Sequence, residues 1–287
     1  MILVNNPGDW DTVYPPLLHA EWHGWTPTDL IFPFFLFIVG VSMAFSFGKR
    51  LEAGGRSALY RQVIRRSLII FALGLLLNLF PSFDLWNLRV AGVLQRIAVV
   101  YFVVSLIVMH TSMRAQVWIS GGVLCFYWAF LTLIPVPGVG AGVLTPEGNL
   151  AAFVDSYLLP GRMWQGTWDP EGLLSTIPAV VTTLLGVLTG RWLRSGREKC
   201  EIAGWMFVAG WGAILVGVFW GILFPINKNL WTSSYVVFTA GAALQFLAVC
   251  YWLIDIKGYT RWFYPAIVYG MNAIAVYVLS GMVGDLL

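Results

Sequence analysis

The sequence predicts an all-α, polytopic helical membrane protein folded as a single bundle. Three observations carry that expectation. Of 287 residues, 59% are hydrophobic and 11% charged, with a mean hydropathy of +0.77, whereas a soluble domain carries roughly 25% charged residues. Apolar runs recur along the whole chain, too long for strands and without the alternation of a membrane β-barrel. Backbone groups in lipid must then be satisfied within helices. Finally, thirteen of the seventeen Lys and Arg residues fall on alternate connections between the runs, the asymmetry of a positive-inside topology. That topology accounts for the basic pI of 8.8, so no nucleic-acid partner is expected.

The runs lie at 29–47, 67–80, 91–109, 115–135, 173–193, 203–224, 233–254 and 263–286. The second becomes long enough if it starts near residue 60, with Arg61, Arg65 and Arg66 at its inner end. About eight full spans follow, each near the ~20 residues that cross a hydrocarbon core. MILV, at the start, reads as the tail of a ninth, partial span running inside to outside. MILVNNPGDW has no charged leader and no long apolar core, so no cleavable signal is expected. The basic connections are 48–66, 110–114, 191–202 and 255–262. The opposite ones hold Arg89, Arg162 and Lys228, and Arg96 lies inside a run. Residues 1–28, the long loop 136–172 and the short loops 81–90 and 225–232 are therefore expected on the outer side.

Each outer element offers chemistry. LLHAEWHGWTPTDL (17–30) places His19 and His23 four residues apart, ahead of the first full span. On a helix they would share a face, but HAEWH is not the HExxH of zinc proteases and no third ligand stands out, so no metal is expected. A histidine at a cavity mouth suits a general base or a nucleophile. Asn5 and Asn6 offer amides on the same side for orienting an imidazole or an oxyanion. Asp29, in TPTDL, reads either as a helix cap or as a partner for Arg96. The loop 136–172 is too long for a plain connector. Its Tyr157, Trp164, Trp168, Asp155, Asp169 and Glu171 suit either an interfacial belt or a cap over a cavity that stacks sugar rings.

Within the runs, polar residues are expensive and therefore informative. Arg96, after Gln95 in AGVLQRIAVVYF, needs a carbonyl, Asp29, or an anionic ligand such as a pyrophosphate. Asn227, Lys228 and Asn229 precede a span, where they read as a cap or an anion clamp. Asn272 in GMNAIAVYV reads as an interhelical hydrogen bond. GVLTG (186–190) and GVFWG (217–221) carry small-residue spacing that favours close helix packing. Cys125, Cys200 and Cys250 form no recognisable framework.

Several segments together resemble one family. VNNPGDW, LLHAEWHGWTPTDLIFPFFLFIVGVSM, LRVAGVLQRIA, WDPEGLLSTIPAVVTTLLGVLTG, PINKNLWTSSYV and GMNAIAVYV are similar, in order and almost end to end, to the heparan-α-glucosaminide N-acetyltransferase-like transmembrane acyltransferases and their bacterial relatives. The resemblance implies a bundle of about eleven spans, with acetyl moving from cytosolic acetyl-CoA to a glucosamine-type amino sugar on the far side. It places the active histidine on His19 and its paired asparagine on Asn5. His23 takes a position where the human-type enzyme has Asn. Arg89, Gln95, Arg96, Asn227, Lys228 and Asn229 fall on segments implied to line the acetyl-CoA cavity. Asp29, Asp169, Glu171 and Asn272 are the expected acceptor-side residues. The expectation is one acyltransferase domain over 1–287, lacking the family's N-terminal start and C-terminal helices. It would sit in a bacterial inner membrane with His19 periplasmic, and the family is compatible with a homodimer. The rival reading is a sugar transporter without transferase activity; the absence of an internal inverted repeat counts against it.

Overall fold

The computed structural model describes residues 2–5, 12–52 and 55–284. Among these the regular structure is helical, with two isolated bridges, Arg89–Gly161 and Val136–Gly140. A short α1 (Ile2–Asn5) precedes the 3-10 turns Pro15–Leu17 and Pro27–Leu30. The bundle follows: α2 (Ile31–Glu52), α3 (Arg56–Leu79), α4 (Val93–His110), α5 (Met113–Leu133), α6 (Leu150–Leu158), α7 (Leu173–Leu193), α8 (Lys199–Leu223), α9 (Ser233–Tyr251), α10 (Thr260–Met271) and α11 (Ala273–Gly284). Among the described residues, seven helices are long and apolar enough to cross a membrane, and an eighth crossing results if α10 and α11 count as one span.

The last run is where pattern and structure part. Residues 263–286 read as one continuous span, yet α10 and α11 meet at a 71° bend. The break falls at Asn272, whose backbone leaves helical geometry and whose Nδ2 donates to the Val268 carbonyl of its own helix. Asn bonds readily to nearby backbone and competes with the helix ladder. The interhelical bond expected of Asn272 is therefore replaced by a local one.

Two glycine seams bring helices close. A Cβ on Gly40 would lie 2.0 Å from the Thr183 carbonyl, and one on Gly186 would lie 2.0 Å from that of Phe37. Gly190 meets Val41 one turn further, so GVLTG joins α7 to α2. Gly217 and Gly241 do the same for α8 and α9, against Phe238 and Ile214. Small residues are the usual means of close packing where lipid removes the hydrophobic drive between helices. The bundle exterior is correspondingly apolar, with Trp118, Phe126, Trp211, Phe219 and Ile222 all exposed. Inside, α2, α3, α4, α7 and α9 share a core containing Leu36, Val63, Val100, Leu184 and Tyr235.

The loop 136–172 is not irregular throughout. Asn149 caps α6 by accepting from the Ala152 amide. The loop folds back over the His19 end of the bundle. Trp22 Nε1 donates to the Leu144 carbonyl at 2.7 Å, and the Trp22 and Trp168 rings meet edge to face at 5.0 Å.

Candidate active site

The site begins with a helix cap. In TPTDL the proline occupies the first turn and the acid the third position, and the Pro27–Leu30 turn forms a capping box between Thr26 and Asp29. Asp29 is 1% exposed. Its Oδ2 accepts from the backbone amides of Ala20 and Thr26, both at 3.0 Å, and from Thr26 Oγ1 at 3.2 Å. Those donors hold one carboxylate oxygen and fold residues 19–26 back against the turn. The other oxygen, Oδ1, lies 2.6 Å from Nδ1 of His19.

His19 is thus in a loop rather than on a helix, and it shares no helical face with His23. The two imidazoles have separate partners. His23 Nδ1 accepts from Asn227 Nδ2 at 3.3 Å, and burial lowers its pKa. Asn227 is fully buried and also bonds Trp22 O and the Leu230 amide. It staples the 225–232 turn to the histidine loop. Asn229 is half-buried in the same turn.

That staple sets Lys228 against His19. Lys228 Nζ lies 2.9 Å from Nδ1 and 3.2 Å from Nε2 of the ring, and 3.5 Å from Asp29 Oδ1. With Nδ1–H donated to Asp29, the free lone pair is on Nε2, and that is the one the ammonium can engage. Burial pushes the Lys228 pKa below the ordinary lysine range, against the upward pull of Asp29 and Glu171. Asn5, His19, Thr28, Glu171 and Lys228 line one small cavity of about 110 Å³, walled by Phe32 and Val93. Asn6 lies outside the described residues.

The remaining cations are held separately. Arg89 makes a bidentate pair with Asp169 (2.7 and 2.6 Å) and a third contact with Glu171 (2.6 Å). Burial alone lowers the Arg89 pKa, and these two carboxylates more than reverse it. Arg96 is 2% exposed. Its Nη2 donates to the carbonyls of Pro170 and Gly172 and to Ser175 Oγ, and its guanidinium lies over the Trp231 ring at 5.0 Å. Of the alternatives open for Arg96, carbonyl pairing is the one present, with none of these bonds made to Asp29. Gln95 is buried beside it, under Gly74 and Gly92. Asn272 is exposed at the α10–α11 break.

Beside the His19 pocket lie further cavities, open toward the lipid-facing surface where Ile38 and Phe246 are exposed. The 110 Å³ cavity shares Ile31 with an apolar cavity of about 560 Å³ between α2, α4, α9 and the α10–α11 pair. That cavity shares Leu247 and Cys250 with another of about 430 Å³ beside Phe45, Tyr251 and Asp255. The Asp255 carbonyl accepts from Lys199, in a basic connection, at 2.9 Å. The three cavities are thus neighbours, ordered between the basic ends of the helices and His19.

The sequence signal missed at the site was the second role of Asp29. The TPTD pattern shows that a carboxylate caps a turn, but not that its spare oxygen receives a histidine ten residues earlier. The approach of Lys228 to His19 had no local signal, because the two lie 209 positions apart.

Comparison with known proteins gives a consistent picture. The family model for heparan-alpha-glucosaminide N-acetyltransferase, catalytic, matches residues 9–217. The mouse protein named heparan-alpha-glucosaminide N-acetyltransferase is 31% identical over 341 aligned positions, covering 97% of this chain and 50% of its own length. The human protein of the same name is 32% identical over 341 positions, with the same coverage. The chain therefore spans about half the length of these curated relatives.

Proposed function

The chain belongs to the heparan-alpha-glucosaminide N-acetyltransferase family, and from that premise we propose that it transfers acetyl from acetyl-CoA to the amine of a glucosamine-type sugar at His19. The observation that carries the assignment is the 2.6 Å pairing of His19 Nδ1 with the buried Asp29 carboxylate. An anion on Nδ1 fixes the tautomer that leaves Nε2 basic, and it stabilises the imidazolium that forms when Nε2 takes a proton.

In the proposed step, the sugar amine attacks the thioester carbonyl as Nε2 removes its proton. The C–S bond breaks, and the CoA thiolate leaves and is protonated from the imidazolium. Lys228 and Asn5 line the cavity where the tetrahedral oxyanion would form. An ammonium aimed there stabilises charge that exists only in the transition state. Lys228 also occupies the Nε2 lone pair before reaction, so it must turn from the ring to the oxyanion as the acceptor enters.

The order of these cavities supports a donor path. Acetyl-CoA would enter at the basic ends of the helices, where cationic connections suit its phosphates, and its pantetheine arm would follow the apolar cavity to Ile31 and His19. By the positive-inside asymmetry the basic ends are cytoplasmic and His19 faces the opposite side, the periplasm in a bacterial inner membrane. Arg89 then acts mainly by shaping the site, since protein carboxylates already engage it, and Arg96 is tied to the carbonyls of Pro170 and Gly172 through Nη2 alone. The same His19 geometry serves a double displacement through an acetyl-imidazole.

The test is acetyl transfer by protein reconstituted in sealed vesicles, with labelled acetyl-CoA on the basic-loop side and glucosamine on the other. His19→Ala is expected to lower transfer about 10²–10⁴-fold, the usual worth of general-base help, while acetyl-CoA binding persists. Wild-type rates from this variant overturn the assignment. Labelled protein trapped without acceptor selects the double displacement.

A further inference from the structure

A second cavity, of about 490 Å³, runs between α4, α5 and α7 on another side of the bundle. Its walls are apolar over most of their length. On α4 they are Val99, Val103 and Ile107, spaced four apart along one helical face, and Ile177, Val180 and Leu184 face them from α7. Val99 and Ile177 are 40% and 39% exposed on the membrane-facing surface, so the cavity is a groove open sideways to lipid.

At the His19 end the groove changes character. Gln95, Arg96 and Glu171 line it there. Arg96 Nε and Nη1 and Gln95 Nε2 are buried and find no hydrogen-bond partner among the described residues. A buried unpaired N–H is costly, and more so on a charged group. No acceptor for these three donors is supplied by the described residues, and both side chains line that end of the groove. Glu171 also lines the 110 Å³ cavity that contains His19 and Lys228. One side chain therefore stands between the groove and the reacting pocket.

We propose that this groove holds the hydrocarbon tail of a lipid-borne acceptor, an amino sugar carried on an acyl or isoprenoid chain. The oxygen-rich linkage between sugar and tail takes the Arg96 and Gln95 donors, and the sugar passes Glu171 toward His19. This rests on the acetyltransferase reading given above. The dimensions agree. From Gln95 to Ile107 the α4 face is about 18 Å long at 1.5 Å per residue, slightly more than one leaflet of a hydrocarbon core of about 30 Å. A single chain entering from the His19 side fills it. If the acceptor were a water-soluble sugar, bilayer lipid alone would fill the groove, and competition by added phospholipid detects that outcome.

The experiment uses the full chain in vesicles and two probes, glucosamine and dodecyl glucosaminide. For wild type, the KM for the dodecyl compound is expected at least about tenfold below that for glucosamine. Val99→Trp, a change at a lipid-exposed position that fills the groove, should collapse the ratio toward one, and Val99→Leu should retain it. An unchanged ratio in Val99→Trp overturns the proposal, because mere partitioning into the bilayer would not sense the groove. A dodecyl glucosaminide with a diazirine at its chain end supplies a readout independent of turnover. Its crosslinks are expected on α4 and α7, competed by unlabelled dodecyl glucosaminide. Crosslinks spread over all lipid-facing helices, or displaced equally by added phospholipid, overturn the proposal. Competed crosslinks on α4 and α7 in a protein that acetylates neither amine keep the groove and remove the enzymatic reading instead.

Discussion

His19 Nδ1 and Asp29 Oδ1 lie 2.6 Å apart, and the other oxygen of that carboxylate is held by the backbone amides of Ala20 and Thr26. One buried side chain therefore both builds the loop that carries the histidine and sets which ring nitrogen is free. Asp29→Asn offers His19 and the two amides only one acceptor in place of two. Transfer is expected to fall about 10²–10⁴-fold through loss of the correct tautomer, with a stability loss of about 1 kcal/mol from the weakened cap. Rates of acetyl transfer and thermal midpoints in detergent check both parts. Retention of full activity would remove Asp29 from the mechanism.

Lys228 should limit activity on the alkaline side. Burial lowers its pKa from the ordinary lysine value, so its proton is lost at a lower pH than from a solvated lysine. The charge that stabilises an oxyanion requires that proton, and the neutral amine is a much weaker donor. The transfer rate is expected to fall with rising pH before pH 10.5 is reached, and Lys228→Arg, which stays charged, should carry the falling limb upward. Superimposable pH–rate profiles for the two proteins would count against the ammonium role.

Asp155 provides a stability test away from the chemistry. Burial raises its pKa to about 6, against a backbone bond from Leu173. A carboxyl raised above its unfolded value near 3.8 contributes stability at low pH that is lost as pH rises through about 6. Asp155→Asn, keeping an oxygen for the Leu173 amide, should therefore be more stable than wild type at pH 8, by up to about 3 kcal/mol, and nearly equal at pH 4. Thermal midpoints across that range measure it, and an advantage that grows toward low pH would have the wrong sign.

The α2–α7 seam should tolerate no added methyl. A Cβ at Gly186 lies 2.0 Å from the Phe37 carbonyl, while one at Gly204 meets nothing within 4 Å. Gly186→Ala must push α7 away from the helix that follows Asp29, at a cost of about 1–3 kcal/mol or more. Gly204→Ala should instead gain about 0.5–1 kcal/mol from helix propensity. Equal thermal midpoints for the two variants would contradict the seam.

Hydropathy located the spans well, because the free energy of a helix in lipid is largely a sum over its own residues. The run 173–193 and α7 share the same ends, and GVLTG indicated close packing on the correct helix. The last span was less legible. The bend at Asn272 arises from a local competition for the Val268 carbonyl that an apolar average cannot register. The loop 136–172 showed its aromatic and acidic content, but not that Asp169 and Glu171 would clamp Arg89. That pairing needs the loop to fold back across about 80 residues.

The sequence by itself determined an all-helical membrane bundle, a basic end opposite a histidine end, a capped turn at Thr26–Asp29, and a family resemblance that singled out His19. The tertiary structure decided what His19 touches. Asp29 reaches it because a capping carboxylate has a second oxygen to spare, and Lys228 reaches it because Asn227 fastens a distant turn to the Trp22 carbonyl. Span formation is a local property of the chain, whereas hydrogen-bond geometry at a site depends on helix rotation and register. Those are fixed only when seams such as Gly40–Thr183 and Gly186–Phe37 close.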